Sequence, residues 1–348
     1  MGNLLSYSGI TTKIRAMESH FISDSQFREM ASLDSVSEAV EYLKRQPSYS
    51  EIFSGVEDQN LHRGTIEGML VLSKYRDFAK LYRFSNLQQR KFLDLYFMHY
   101  EVAILKRCLR SALNKQEIDI DLSIFREFFE KHSNLDLIKL SESQSIGELI
   151  GNLAGTPFYD LLTHIESTES PTLFDYEMQL DLFYFKTMWK VKNKYLSKSE
   201  QKILSQCFGS KLDLLNLQWI YRSKKYYKLA PADIYALLIP LYYRLKKDDI
   251  VKLAETASVE EFYALLKGSY YGSLNLPDLT EEPNLEELYA KVLNRIYSLT
   301  RQRDPYSVAS LNTYLYFKEQ EINKIITTIE GIRYGLDPGE IYTLAARN

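Results

Sequence analysis

The chain has 348 residues, 45% of them hydrophobic, with a formal net charge of −3 and only 14 glycines and 9 prolines. That charge excludes bulk attraction to nucleic acid or an anionic membrane, and so few turn residues predict long helices and few strands. Two cysteines, Cys108 and Cys207, make neither a disulfide framework nor a CxxC ligand pair. With no secretion h-region and no apolar run of about 18 residues, the chain is expected to be soluble and cytosolic.

Met1-Gly2-Asn3-Leu4-Leu5-Ser6 matches the form of an N-myristoylation signal. Only two positions after Met are constrained and one acyl chain holds a membrane weakly, so no lipid anchor is expected. From Phe27 the chain reads FREMASLDSVSEAVEYLKRQPSY. Ungapped counterparts begin at Leu137 (LIKLSESQSIGELIGNLAGTPFY) and Ile250 (IVKLAETASVEEFYALLKGSYYG), at intervals of about 110 residues. Each carries Ser-x-x-Glu before an apolar run: Ser35/Glu38, Ser145/Glu148 and Ser258/Glu261. This predicts a capping box, the serine accepting from the backbone three residues on and the glutamate reaching back. Leu43, Leu153 and Leu266 share one helical position, and Gly155 and Gly268 mark the ends of the second and third copies.

A second helix repeats in step with the first. Glu101-Val102-x-x-Leu105-x-x-x-Leu109-x-Ser111 is followed by Asp213-Leu214-x-x-Leu217-x-x-x-Tyr221-x-Ser223 and Glu321-Ile322-x-x-Ile325-x-x-x-Ile329-x-Gly331. Their tails agree too: LNKQEI from Leu113, LAPADI from Leu229, LDPGEI from Leu336. In the last copy Ile322, Ile325, Ile329 and Ile332 form one apolar stripe, with Gly335 and Pro338 to end the helix. The pattern predicts three homologous helical units, 1–119, 120–232 and 233–348, each of ordinary single-domain size. Residues 65–113 are helical in period. Residues 167–172 (STESPT) read as a linker, and Trp189 sits among packing aromatics of a long helix at 172–196. Residues 268–284 form the longest turn-rich stretch, and 301–305 a further break.

Little in the chain points to chemistry. His20, His62, His99, His132 and His164 lack metal-ligand spacing. Residues 151–156 (GNLAGT) imitate a phosphate loop without its lysine, and Asp248-Asp249 has no third carboxylate. No metal, cofactor or catalytic residue is expected. Glu101, Asp213 and Glu321 form the one repeated acidic column, and helix ordering suits three copies better than acid–base work. The basic-aromatic run Arg222-Ser-Lys224-Lys225-Tyr226-Tyr227-Lys228 has the composition of an RNA contact. It occurs in one unit only of an acidic chain, and cations complement a helix C-terminus in any case. A solvated or protein-contacting helix end is the expectation, with no nucleic acid.

These repeated helices carry a family likeness. Residues 213–231 (DLLNLQWIYRSKKYYKLAP), 316–341 and 100–113 resemble the C subunit of the V/A-type rotary ATPases, the counterpart of the eukaryotic V-ATPase d subunit, and all three repeats participate. The family's asparagine stands at Asn216, while Ile104 and Lys324 occupy its place in the other copies. The resemblance implies an all-α protein of three homologous helical-bundle domains, arranged as a funnel with pseudo-threefold symmetry. It implies a non-catalytic rotor subunit on the cytoplasmic face of the membrane proteolipid (c/K) ring, whose hollow receives the central-stalk subunits D and F. Such a socket transmits torque for ATP-coupled H+ or Na+ transport. Arg110, Arg222, Lys224 and Lys225, at the C-terminal ends of the repeated helices, are then the candidate partner contacts. The alternative is a soluble helical-repeat scaffold or adaptor, although solenoid repeats of about 20 to 50 residues are shorter than these units.

Overall fold

The computed structural model describes residues 2–57, 61–114, 120–274 and 285–346. Among these, every regular element is a helix, so the protein is all-α, as its sequence predicts. Met1, the first repeat's tail from Lys115 and the turn-rich stretch past Leu274 lie outside the described residues. The chain divides into two compact units, one made of Met1–Tyr7, Leu196–Phe317 and Ala346–Asn348, the other of Ser8–Tyr195 and Lys318–Ala345.

One packing design recurs within them. In the first unit the acid-bearing helix Lys198–Arg222 lies along Leu285–Arg303. Its Leu214, Leu217, Ile220 and Tyr221 share a core with the capped pair Lys247–Glu255 and Val259–Gly268, through Leu253, Phe262 and Leu266. In the second unit Leu87–Asn114 lies along Leu173–Tyr195 and packs on the capped pair Leu137–Glu142 and Ile146–Gly151. That unit contains the design a second time. The isoleucine stripe of Val308–Arg333 packs on Asp24–Ala31 and Val36–Lys44, and on Ile66 and Leu70 of Arg63–Phe84. Each acid-bearing helix therefore packs on the capped pair that follows it in the chain, and the last one packs on the first pair.

Local chemistry explains the helix ends. Ser35, Ser145 and Ser258 each accept from the backbone N–H three residues on. The glutamates depart from the capping box: Glu38, Glu148 and Glu261 reach one residue further back, accepting from the N–H of Asp34, Gln144 and Ala257 at 3.0, 2.8 and 2.7 Å. Helix Val308–Arg333 ends in a Schellman motif, with Gly335 at φ 66° and its N–H on the Ile332 carbonyl, and the Leu336 N–H on Gly331. Pro338 does more than stop that helix. It opens a new one, Pro338–Ala346, as Pro231 opens Pro231–Leu237, a position where proline's missing N–H has no partner to lose. The tail isoleucines Ile234 and Ile341 then drop into their respective cores. Residues 167–172 separate two helices as expected, whereas Gly268 ends its helix without positive φ.

The helical stretch at 65–113 is broken at Ser85-Asn86, between Arg63–Phe84 and Leu87–Asn114. Asn86 and Gln89 satisfy each other's backbone N–H at 3.0 Å. Ser197 and Glu200 repeat that arrangement at the start of Lys198–Arg222, where Glu200 also accepts from the Tyr7 hydroxyl. Beside the first break lies an aromatic core. Tyr75 stacks on Phe128 at 4.6 Å, with Phe78, Phe97, Tyr100 and His132 around them, and burial lowers the His132 pKa.

The small residue that closes the third repeated helix has a steric cause. A Cβ on Gly331 would lie 2.7 Å from Ile341 Cγ1. Gly331→Ala should gain about 1 kcal/mol from helix propensity yet lose about 2 kcal/mol to overpacking. Net destabilisation in urea unfolding, relieved by a second change Ile341→Ala, is the expected result.

Candidate partner-binding site

The repeated acids come first, because carboxylates on helices are the groups most able to do chemistry here. Each is committed to holding a loop. Asp213, fully buried, accepts from the backbone N–H of Tyr243, Arg244 and Leu245 at 3.1, 2.7 and 3.0 Å and from the Tyr271 hydroxyl at 2.8 Å. Burial raises its pKa, against those four donors. Glu321 accepts from the Ile22 N–H at 2.7 Å and the Tyr49 hydroxyl at 2.6 Å. The ammonium of Lys318 stands 2.9 Å from Glu321 and 3.6 Å from Asp77, with no part of its side chain exposed. Glu101 accepts from the Ser133 hydroxyl, which in turn accepts from the Leu135 N–H at 3.1 Å.

All three loops precede a capped pair. The column is thus a set of struts, in keeping with helix ordering as its expected role. Asn216 serves the same end, exchanging both backbone hydrogen bonds with Ile239 at 2.8 and 2.9 Å. Its loop, residues 238–246, is longer than those at 19–23 and 133–136. That accounts for a second polar strut in this copy and for Ile104 and Lys324 in the others. The two cysteines are buried and their thiols are pushed up to about 12 by burial. Among the described residues no cluster of His, Cys, Asp and Glu is placed to hold a metal.

The four candidate cations fall in two places. Arg110, in the second unit, is bound by Glu177 at 2.5 Å, which raises its pKa. Arg222, Lys224 and Lys225 lie together in the first unit, where the helix runs on into a π-helical turn, Ser223–Tyr227. Lys224 is half-buried, donating to the Thr256 carbonyl at 2.6 Å, and burial lowers its pKa. Lys225 donates to the Tyr221 hydroxyl at 2.6 Å, and Arg222 is exposed. Sequence reasoning passed over Lys318, because a buried lysine has no local signature. It also passed over Tyr49 and Tyr271, which complete two of the struts.

The struts differ in what their loss would strand. Asp213→Ala strands three backbone N–H groups, that of buried Leu245 among them, together with the buried Tyr271 hydroxyl, and Glu321→Ala leaves a buried ammonium short of an anion, so each should cost about 3–4 kcal/mol. Glu101→Ala removes one acceptor from a serine and should cost about 1 kcal/mol. Chemical denaturation of the three variants should give that order.

Comparison with known proteins agrees with the repeated helices. A family profile described as ATP synthase (C/AC39) subunit matches residues 10–344. The A-type ATP synthase C subunit of Methanosphaera stadtmanae is 22% identical, covering 92% of this chain and 82% of its own. That of Pyrococcus abyssi is 24% identical over 96% and 89%, and that of Archaeoglobus fulgidus 22% over 98% and 96%. The acid-bearing helices and capped pairs just described fall within the matched span, and the chain belongs to the ATP synthase (C/AC39) subunit family.

Proposed function

We propose that this protein is the non-catalytic socket of a V/A-type rotary ATPase. It links the D/F central shaft to the membrane proteolipid ring and transmits torque for ATP-coupled H+ or Na+ transport. The observation that carries the reading is the cyclic use of one bundle. Because Val308–Arg333 packs on residues 22–56, each of the chain's three repeats lends a helix to the next and the last returns to the first. A repeat that returns to its start suits a closed collar, and supports three units arranged as a funnel around a hollow for the shaft. An open solenoid would leave its first capped pair for a cap of its own.

A torque element needs stiffness more than reactivity. Helices whose loops are pinned by buried acids supply the first, and those same acids are occupied by backbone donors. No described helix is long and apolar enough to cross a membrane, which suits a subunit docked peripherally on the ring's cytoplasmic face. The ring presents many identical polar loops, so docking rests on numerous modest contacts at helix ends. Arg110, Arg222, Lys224 and Lys225 are the proposed contributors, with Lys224 acting mainly as the pin of its own turn.

Tagged protein from solubilised membranes should bring down the shaft subunits and the proteolipid. High salt should release it from the ring, since exposed charge pairs weaken as the screening length shortens to about 3 Å near 1 M. Arg222→Glu should lower the salt needed for release. Recovery of neither shaft nor proteolipid would defeat the socket reading, and release by detergent alone, indifferent to salt, would defeat its polar docking.

A further inference from the structure

Helix Lys198–Arg222 does not end as its counterpart Val308–Arg333 does. In place of a glycine-closed Schellman motif it widens into the π-helical turn Ser223–Tyr227 and stops on Lys228, at φ 49° and ψ 42°. A lysine in the left-handed region is a conformation that glycine would hold without strain. Single π-turns and strained non-glycine residues concentrate at functional positions. The turn is anchored from beneath: Ser223 is buried, Lys224 reaches the Thr256 carbonyl, and Lys225 donates to Tyr221 while lying 5.7 Å from the Tyr226 ring centroid. What the anchorage holds outward is a pair of consecutive tyrosines, Tyr226 and Tyr227, 64% and 70% exposed. Arg222, Lys225 and Lys228 are exposed beside them.

The geometry points to residues 222–228 as a docking turn for an acidic segment of a partner protein. Carboxylates of that segment meet Arg222, Lys225 and Lys228, and an apolar side chain lies across Tyr226 and Tyr227. Tyrosine and arginine are the residues that protein interfaces enrich, each offering an apolar surface with a polar edge. A nucleic-acid backbone is a poorer match. Phosphate tracks need cations spread along a groove, whereas these are confined to one turn of a chain of net charge −3. The capped helix whose preceding loop receives Lys224 also begins with Glu260 and Glu261. This proposal rests on the reading of the chain as a subunit of a larger complex, and assigns partner chemistry to one of its contacts.

Water-soluble carbodiimide joins a lysine amine to a carboxylate only where the two are in contact. Treating the intact purified complex should yield an amide cross-link from Lys225 or Lys228 to an Asp or Glu of another subunit, mapped by mass spectrometry. Lys225→Arg with Lys228→Arg should abolish that cross-link while leaving the protein in the complex. Tyr226→Ser with Tyr227→Ser should reduce retention in the complex about tenfold, with the unfolding midpoint of the isolated chain unchanged. Cross-links confined to this chain, retention indifferent to the tyrosine changes, or ultraviolet cross-linking of the turn to RNA would each overturn the docking turn and leave the family assignment standing. Absence of the wild-type chain from complexes containing shaft and proteolipid would overturn both readings together.

Discussion

A carboxylate buried at the head of an apolar stripe must find its partners inside the protein. In each bundle it finds them in an irregular loop, where backbone N–H groups have no helix to pair with. Asp213 takes three such groups directly, Glu321 takes one with a tyrosine hydroxyl, and Glu101 works through a serine. The bond is worth more than its net hydrogen-bond energy, because either side left alone is a buried unsatisfied group. It also fixes direction. The loop leads straight into the first helix of a capped pair, so pinning the loop sets how that pair meets the long helix and which leucines enter the core.

The third strut has the farthest consequence. Glu321 reaches residues some 300 positions earlier in the chain, and closing so long a connection carries an entropic cost that grows only logarithmically with its length. What offsets it is a dense contact: a four-isoleucine stripe on the first capped pair, with Lys318, Glu321, Asp77 and Tyr49 beneath it. A buried lysine between two carboxylates is weak evidence of stability, since desolvation can equal the Coulomb gain. It is better read as a device for register. An isoleucine stripe alone tolerates sliding by a turn, whereas an ammonium with three oxygen partners does not.

How much of this could be read from the sequence depended on how local the cause was. The serine caps were legible because cap and recipient are three residues apart, and the Gly335 terminus because positive φ is a property of one residue. The glutamates' extra step back to Asp34, Gln144 and Ala257 was not, since rotamer and loop direction decide it. The break at Ser85-Asn86 contains neither glycine nor proline; its one signal is Asn86-x-x-Gln89, a reciprocal cap of the same kind as Ser197-x-x-Glu200. Repetition located the acids and favoured a structural role for them, yet could not say which copy packs on which. Sequence spacing is silent on that point, and the cores supply the answer: the first two helices pack on the capped pair that follows and the third on the first pair. For the cations, the four were grouped by sequence position. Packing separates them: Arg110 is engaged by Glu177, Lys224 by the Thr256 carbonyl and Lys225 by the Tyr221 hydroxyl, and the last three cations share one turn with two exposed tyrosines.

These features bear on one another through stiffness. On the rotor reading, torque enters and leaves through different surfaces, and any give between them is lost as elastic lag. Helices resist bending, but a bundle can still shear where its loops are loose, and each of those loops is held by a carboxylate, buried in two of the three copies. Interiors fixed in this way leave the helix ends as the places free to vary without disturbing the core. One long helix closes on a glycine against Ile341, another on a strained lysine that lifts two tyrosines into solvent. A repeat whose copies share an interior and differ at their tips can present different surfaces on one frame, so that on the rotor reading each tip is open to a contact of its own.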